Sequence, residues 1–583
     1  MTPSALGVLR GVPVSEGVVV GPAFVVHALS AEFSSYSIGS REVEGELERF
    51  EFALKRAEAE ILELLEGING LSDSVAREVL ETHVLVLFDH SLLSEVKKRV
   101  QRDLRNVEEV YYTVVEEFAE RLSGMEDDLF RERALDFRDV GHRVLRAFKG
   151  VEASVIRFPE HPCILVAKEL KPSEVVGLDR RKVMGVITEV GGKTSHAAII
   201  ARSLGIPMVA GVHGLCAGVV VGRDVFLDGA TGEVVLEVDD ALRQRVEMER
   251  ERSGRERAIL EGIRVEKAIT KDGFHVVLSA NMETVAEVSA VRDSGAEGIG
   301  LFRTEFIYLE KNDLPTEDEQ VSVYRTVADA IQPLPVVLRT LDLGGDKVLD
   351  SRMFPEESNP FLGLRAIRLC LRHEEMFRQQ LRAMVRVARD RHVRIMYPMV
   401  TTVDEVRAAN ALLESVCREI GFDGPIEVGA MIEVPAAAMC ARSIAREVDF
   451  LSIGTNDLVQ YTMAADRLNE SVSHLYQPAH PAVVKLIEMT ARAADEAEIS
   501  VGICGESAGD LLLTPLFLSL GITGLSVGSA LVPRIKAAVR ALNRQDCLAL
   551  REAFLTCESQ ESVLQLTKQV AQEAYGELVL RSV

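Results

Sequence analysis

The chain has 583 residues, 47% of them hydrophobic, which is enough for several domains with substantial cores. Its 66 Lys and Arg stand against 90 Asp and Glu for a formal net charge of -24, and no polybasic tail appears, so the balance argues against a nucleic-acid partner and favours a basic protein. Eight scattered cysteines without a C-x-x-C pair fit neither a disulfide framework nor a zinc site and point to a reducing cytoplasm; the N-terminal stretch, without a basic n-region and broken by Pro13, Glu16, Gly17 and Pro22, is not expected to act as a signal peptide, and no uncharged run is long enough for a bilayer.

Residues 1 to about 30 alternate apolar residues with Gly and Pro and are expected to form strands. From about 40 to 149 the apolar period becomes helical, in stretches 43–65, 75–87, 92–100, 107–122 and 140–148. Between Arg41 and Gly150 there are 17 Lys and Arg against 26 Asp and Glu, so part of the acidic excess falls on this helical segment. Strand-like runs return at 163–166, 183–188, 208–210 and 225–227, which predicts a small β/α domain (1–34 and 151–238) interrupted by an all-α subdomain (35–150). Residues 239–267, rich in Arg and Glu and free of proline, predict one exposed connector helix about 43 Å long at ~1.5 Å per residue. Eight further strand-like runs follow, at 276–281, 298–302, 336–341, 393–399, 426–432, 450–454, 500–504 and 524–527, each pair separated by a helical pattern. Eight β/α repeats predict a C-terminal TIM (β/α)8 barrel over 268–583.

Within the small domain, Gly191-Gly192-Lys193-Thr194-Ser195-His196 opens a helix that Gly205 and Pro207 end. Two glycines let the backbone turn closely, Thr194 or Ser195 can cap, and a phosphoryl group on His196 would lie at the positive end of the helix dipole. A lone histidine at such a place more often only packs or bonds locally. The barrel changes that balance.

Chemistry in a TIM barrel belongs at the C-terminal ends of its strands. There the sequence places Arg303, Arg339 and Asp342, Glu433, Asn456 and Asp457, and Cys504, with Lys347, Asn359, Arg365 and Arg467 further along the loops. Glu433 and Asp457, from adjacent strands, can share one hard cation such as Mg²⁺ or can simply be neutralised by arginines. Four arginines exceed what two carboxylates need, and so point to a polyanionic substrate carrying phosphate and carboxylate groups. Cys504 at a strand end is either inert packing or a general acid beside the substrate. Arg446 and Asp449 are expected to be structural.

Taken together, the blocks Gly191 to His196 with Ala201-Arg202-Ser203-Leu204, Gly300-Leu301-Phe302-Arg303-Thr304-Glu305-Phe306, Arg339 to Lys347, Asn359 to Gly363, Glu447 to Arg467 and Cys504-Gly505-Glu506 resemble enzyme I of the phosphoenolpyruvate-dependent phosphotransferase system over the whole chain. The resemblance implies that His196 takes the phosphoryl group of phosphoenolpyruvate and hands it to a histidine of the carrier protein HPr. It implies that Arg303, Arg339, Arg365, Arg467, Asn456 and Asp457 hold phosphoenolpyruvate, that Glu433 and Asp457 bind Mg²⁺, and that Cys504 protonates the enolate to pyruvate. It further implies that the helical subdomain docks HPr, that His196 swivels about the connector, and that the barrel half forms a homodimer. The pattern departs at Lys193, where the family has Arg, and at Leu468, where Gly is usual. Pyruvate phosphate dikinase and phosphoenolpyruvate synthase share the histidine and the barrel but carry a large ATP-binding domain, for which no glycine-rich nucleotide loop precedes Gly191. A regulatory docking protein on the same scaffold would have no need of all these residues at once.

Overall fold

Short runs rich in valine, punctuated by Pro13, Gly17 and Pro22, form the first strands: β1 (Val8–Arg10), β2 (Val12–Ser15) and β3 (Val18–Val26). The computed structural model describes residues 7–26, 34–67, 74–123, 128–148, 161–170, 174–175, 178, 181–193, 195–309, 314–344, 359–467, 469 and 471–579. Its contacts divide the chain into two units, Met1–Ser253 and Gly254–Val583.

In the first unit, β3 is followed by helices α1 (Val43–Gly67), α2 (Ser74–Leu87), α3 (His90–Asp103), α4 (Val107–Ser123) and α5 (Asp128–Phe148). Their apolar faces meet in a separate core around Phe50, Ile61, Tyr111 and Val114. The fifth helix begins at Asp128, well before the expected 140, because its first half, DLFRERALDFRD, is mostly charged and hides the apolar period. The chain then returns to the sheet with β4 (Cys163–Ala167), β5 (Val183–Thr188), β6 (Met208–Ala210), β7 (Asp224–Asp228) and β8 (Glu233–Val235). The strand order is β1-β8-β7-β3-β4-β5-β6-β2. Strands β3 to β6 run parallel, whereas β7 is antiparallel to β3 and β2 antiparallel to β6. Helix α6 (His196–Ser203) lies between β5 and β6 and buries Ala197, Ala198, Ile200 and Ala201 against Leu165, Val186 and Met208.

Helix α7 (Asp240–Ile263) occupies the predicted connector stretch, and the boundary between the units falls inside it. Its early turns are tied to the first unit by Arg243–Asp224 and Arg245–Asp228 ion pairs, both 2.6 Å, and its later part to the second by Arg534–Glu256 at 2.9 Å.

The second unit is a closed barrel of eight parallel strands: β9 (Val277–Met282), β10 (Ile299–Phe302), β11 (Val336–Arg339), β12 (Val393–Tyr397), β13 (Glu427–Ile432), β14 (Phe450–Ile453), β15 (Ser500–Ile503) and β16 (Gly524–Gly528), with β16 pairing back to β9. Alternate residues face outward into the helix layer, where Val336, Leu338, Ile395, Ala430, Leu451 and Ile503 join one large core. The inward set forms a small cluster of its own, Leu301, Val337, Met396, Met431, Phe450 and Cys504. All eight cysteines are free. Among the described residues, no helix is long and apolar enough to cross a membrane.

Candidate active site

The helix that begins at His196 is built as its sequence predicts. Ser195 is the N-cap, in extended backbone, and its Oγ accepts the Ala198 amide at 3.3 Å. Gly191, at φ +126°, makes the turn that an L side chain would resist. Arg202, from the far end of α6, donates to the carbonyls of Val14 and Lys193 at 3.1 and 3.2 Å, fastening the segment that leads into the helix. The helix closes where Gly205, at φ +64°, lets the Ile206 amide reach back to the Ala201 carbonyl at 2.9 Å. His196 is therefore the first residue of a short helix with a defined cap, and Thr194 lies outside the described residues.

The second set of predicted residues converges at the C-terminal mouth of the barrel. Arg303, Arg339, Arg365, Glu433, Asn456, Asp457, Arg467 and Cys504 all line one cleft, together with Asp342, Phe361 and Gln460. Arg339, the last residue of β11, is buried; its Nη2 donates to Glu305 Oε1 at 2.5 Å and its Nη1 pairs with Asp342 Oδ2 at 2.9 Å. Arg365 is buried too, with Nη2 on Asp342 Oδ1 at 3.0 Å and Nη1 on Asp457 Oδ1 and the Tyr461 hydroxyl, both at 3.3 Å. Burial opposes the charge on both guanidinium groups, but Glu305, Asp342 and Glu433 around Arg339, and Asp342 and Asp457 around Arg365, outweigh it and hold both protonated. Each nevertheless keeps a buried Nε without a hydrogen-bond partner. Arg303 pairs with Glu283, and Arg467 stands 3.6 Å from Glu506.

Helix α8 (Thr455–Met463), directly after β14, supplies Asn456 and Asp457 from its first turn. Asn456 is locked in a reciprocal pair: its Nδ2 donates to Glu506 Oε1 and its Oδ1 accepts the Glu506 amide, both at 2.9 Å. Glu433 directly follows strand β13 and accepts the Met399 amide at 2.6 Å. Burial, reinforced by the neighbouring carboxylates of Asp457 and Asp342, pushes its carboxyl up to about 8. A buried carboxyl beside two others is a place that a cation relieves. Cys504 follows β15, with its amide on the Ile453 carbonyl at 3.1 Å and its Sγ 3.6 Å from the same oxygen. Burial pushes its thiol up to about 11.

Some predicted residues fall elsewhere. Asn359 begins the short turn Pro360–Leu362 and is absent from the cleft lining. Lys347 and Leu468 lie outside the described residues. Asp449 takes the structural part expected of it, its Oδ2 accepting the Val428 amide at 2.7 Å. Glu305 and Tyr461 were not singled out from the sequence, although both hold the arginines in place. Glu305 sits two residues after Arg303, but its partner Arg339 is 34 positions away, and only the barrel's closure makes that contact visible.

The closed parallel barrel with arginines gathered at its mouth, and the separate β/α unit, fall within the class of phosphoenolpyruvate-utilising enzymes, which three family models match. The PEP-utilising enzyme, PEP-binding domain matches residues 257–544, the PEP-utilising enzyme, N-terminal matches 10–133, and the PEP-utilising enzyme, mobile domain matches 159–232. Phosphoenolpyruvate-protein phosphotransferase of Priestia megaterium is 38% identical over 96% of this chain and 98% of its own, and that of Geobacillus stearothermophilus is 39% identical over 96% and 97%. A solution structure of Enzyme I (nEIt) aligns with 42% of this chain and 98% of its own at 30% identity and a TM-score of 0.37. The chain belongs to the phosphoenolpyruvate-protein phosphotransferase family and is an enzyme of the phosphotransferase class.

Proposed function

We propose that this enzyme moves the phosphoryl group of phosphoenolpyruvate onto His196, releases pyruvate, and passes the group to a histidine of an HPr-like carrier as the first step of a sugar phosphotransferase system. The observation that carries the reading is the cleft itself, where four arginines, Asn456 and Cys504 converge around an opening of about 110 Å³. Phosphoryl transfer asks the protein for positioning and charge stabilisation, and forked guanidinium groups supply both. Arg303, Arg339, Arg365 and Arg467, with Asn456 and Asp457, hold the phosphate and carboxylate of the substrate.

Glu433 and Asp457 would hold Mg²⁺. Mg²⁺ takes one or two carboxylates and completes its shell with substrate oxygens and water, and the buried Glu433 carboxyl beside Asp457 and Asp342 offers such a donor set. When bound, the cation neutralises charge developing on the transferred phosphoryl group. Cys504 donates a proton to the enolate left behind, and its high pKa keeps it loaded at neutral pH.

Each part of the chain has a share in this scheme. Residues 1–34 and 151–238 present His196, residues 35–150 dock the carrier, 239–267 connect, and 268–583 bind phosphoenolpyruvate and form the homodimer. Because His196 and the cleft belong to different units, the histidine must be delivered to the cleft and then offered to the carrier, which requires a domain movement. The acidic excess of residues 41–150 favours a basic partner. All of this fits a cytoplasmic protein.

The test is incubation of the protein with Mg²⁺ and phosphoenolpyruvate labelled on its phosphate, followed by mapping of the acid-labile label. Label on His196 is the expected result. A folded protein that takes up no label would instead be a docking protein on an enzyme scaffold.

A further inference from the structure

In the second unit, the helix Glu374–Ala388 buries a stripe that includes Met376, Phe377, Leu381 and Met384, and one amide, Gln380, stands among them at 1% exposure. A buried amide in an apolar layer is costly unless its hydrogen bonds are met. Here they are met: Oε1 accepts the Leu341 amide at 2.9 Å, and Nε2 donates to Thr304 Oγ1 at 3.2 Å and to the Tyr324 hydroxyl at 3.3 Å. The Leu341 amide can only donate, so the carbonyl end of Gln380 must face it and the NH2 end must face the two hydroxyls. Tyr324 gives its own proton to Gln320 Oε1 at 3.1 Å, which leaves its oxygen to accept.

These contacts fall where the barrel's own ladder stops. Strands β10 and β11 are paired in register as far as Phe302 and Leu338. Past that point Thr304 Oγ1 donates to the Arg339 carbonyl at 3.0 Å, and Gln380 holds that hydroxyl while gripping the Leu341 amide two residues on. One side chain thus joins segment 303–305 to segment 339–342. Glu305 Oε1, which takes the Asp342 amide at 3.1 Å as well as Arg339, makes a second link between the same two segments. Arg303, Arg339 and Asp342 line the cleft, and Gln380 is absent from its lining.

We infer that Gln380 is a positioning residue for phosphoryl transfer: by fixing the two strand ends against each other, it sets the spacing at which Arg303 and Arg339 meet the phosphoryl group. This rests on the cleft being the phosphoenolpyruvate site, as proposed above. Arg365, Arg467 and Asn456 belong to other segments, so they keep hold of the substrate when the link is cut. The loss falls on the transition state, where the placing of charge counts most.

The experiment follows first-turnover release of pyruvate from phosphoenolpyruvate with Mg²⁺, reading the saturated rate and the half-saturating concentration separately, with the melting temperature measured in parallel. Gln380→Met keeps the length of the side chain and removes its hydrogen bonds. It is expected to lower the saturated rate about tenfold or more while the half-saturating concentration moves less than about threefold. Thr304 separates hydrogen bonding from packing. Thr304→Ser keeps the hydroxyl and should keep most of the rate, whereas Thr304→Val keeps the shape and should lose about as much as Gln380→Met. The double variant should then be little slower than the worse single one. A parental saturated rate in Gln380→Met overturns the inference, as does a half-saturating concentration that rises in step with the loss, or a Thr304→Ser rate no better than that of Thr304→Val. If Gln380→Met does not fold, the Thr304 pair decides in the same way. A folded parent that releases no pyruvate overturns the reading of the cleft itself; an active parent matched by the Gln380 and Thr304 variants overturns only the role of Gln380.

Discussion

Cys504 and His196 carry the two halves of the proposed reaction, and each can be removed separately. Cys504→Ala should slow pyruvate formation on the order of 10² or more, the usual loss when a general acid is deleted, as read by a coupled pyruvate assay. His196→Ala should abolish incorporation of labelled phosphate but leave phosphoenolpyruvate binding, measured calorimetrically, close to that of the parent. Burial raises the Cys504 thiol to about 11, so the proton is present below that pH and is lost as pH rises through it. Alkylation needs the thiolate, so iodoacetamide should modify Cys504 slowly at pH 8 and about tenfold faster per added pH unit towards 11. Rapid modification at pH 8 would mean a thiol too acidic for this role. At this scale the cleft was largely legible, because Arg303, Arg339, Glu433, Asn456 and Cys504 stand at or just past strand ends that can be read one by one. Glu305 and Tyr461 were not, since each acts on an arginine that is remote in sequence.

The strands of the barrel lie within about two residues of where the apolar runs place them, because each is short, continuous and bounded by Gly, Pro or charge. Helix α5 was cut short for the opposite reason, as charge obscures its first half. What apolar periodicity cannot convey is how closely neighbouring elements approach. Gly505 follows β15 and sits against the start of α8; a Cβ there would meet Thr455 Oγ1 at 2.0 Å and the Thr455 amide at 2.7 Å. Its φ of -75° is open to any residue, so the constraint is contact alone. Gly505→Ala should therefore push back the helix turn that carries Asn456 and Asp457. It is expected to cost about 1–3 kcal/mol of stability and to raise the KM for phosphoenolpyruvate, as measured by thermal denaturation and steady-state kinetics. An unchanged melting temperature and KM would show that the two elements separate freely.

Across the whole molecule, the barrel unit has its own large core, and the first unit has others around its sheet and its helices. Calorimetry should accordingly resolve more than one unfolding transition, and phosphoenolpyruvate with Mg²⁺ should raise the transition of the barrel unit alone. A single transition that moves as one body would mean that the two units unfold together. The order of strands in the first sheet has a different bearing, on the chain as it leaves the ribosome. β1 finds its neighbour in β8, β2 in β6, and β3 lies between β4 and β7. The first strands made must therefore wait for partners that lie beyond the whole helical insertion. At roughly 5–20 residues per second, that wait is on the order of 10–40 s. For that interval three valine-rich strands have no edge to join, while the five helices between them can already collapse on their own core. The helical insertion thus gives the nascent chain an early folded body, and the sheet that carries His196 is completed only when the strands beyond the insertion have been made.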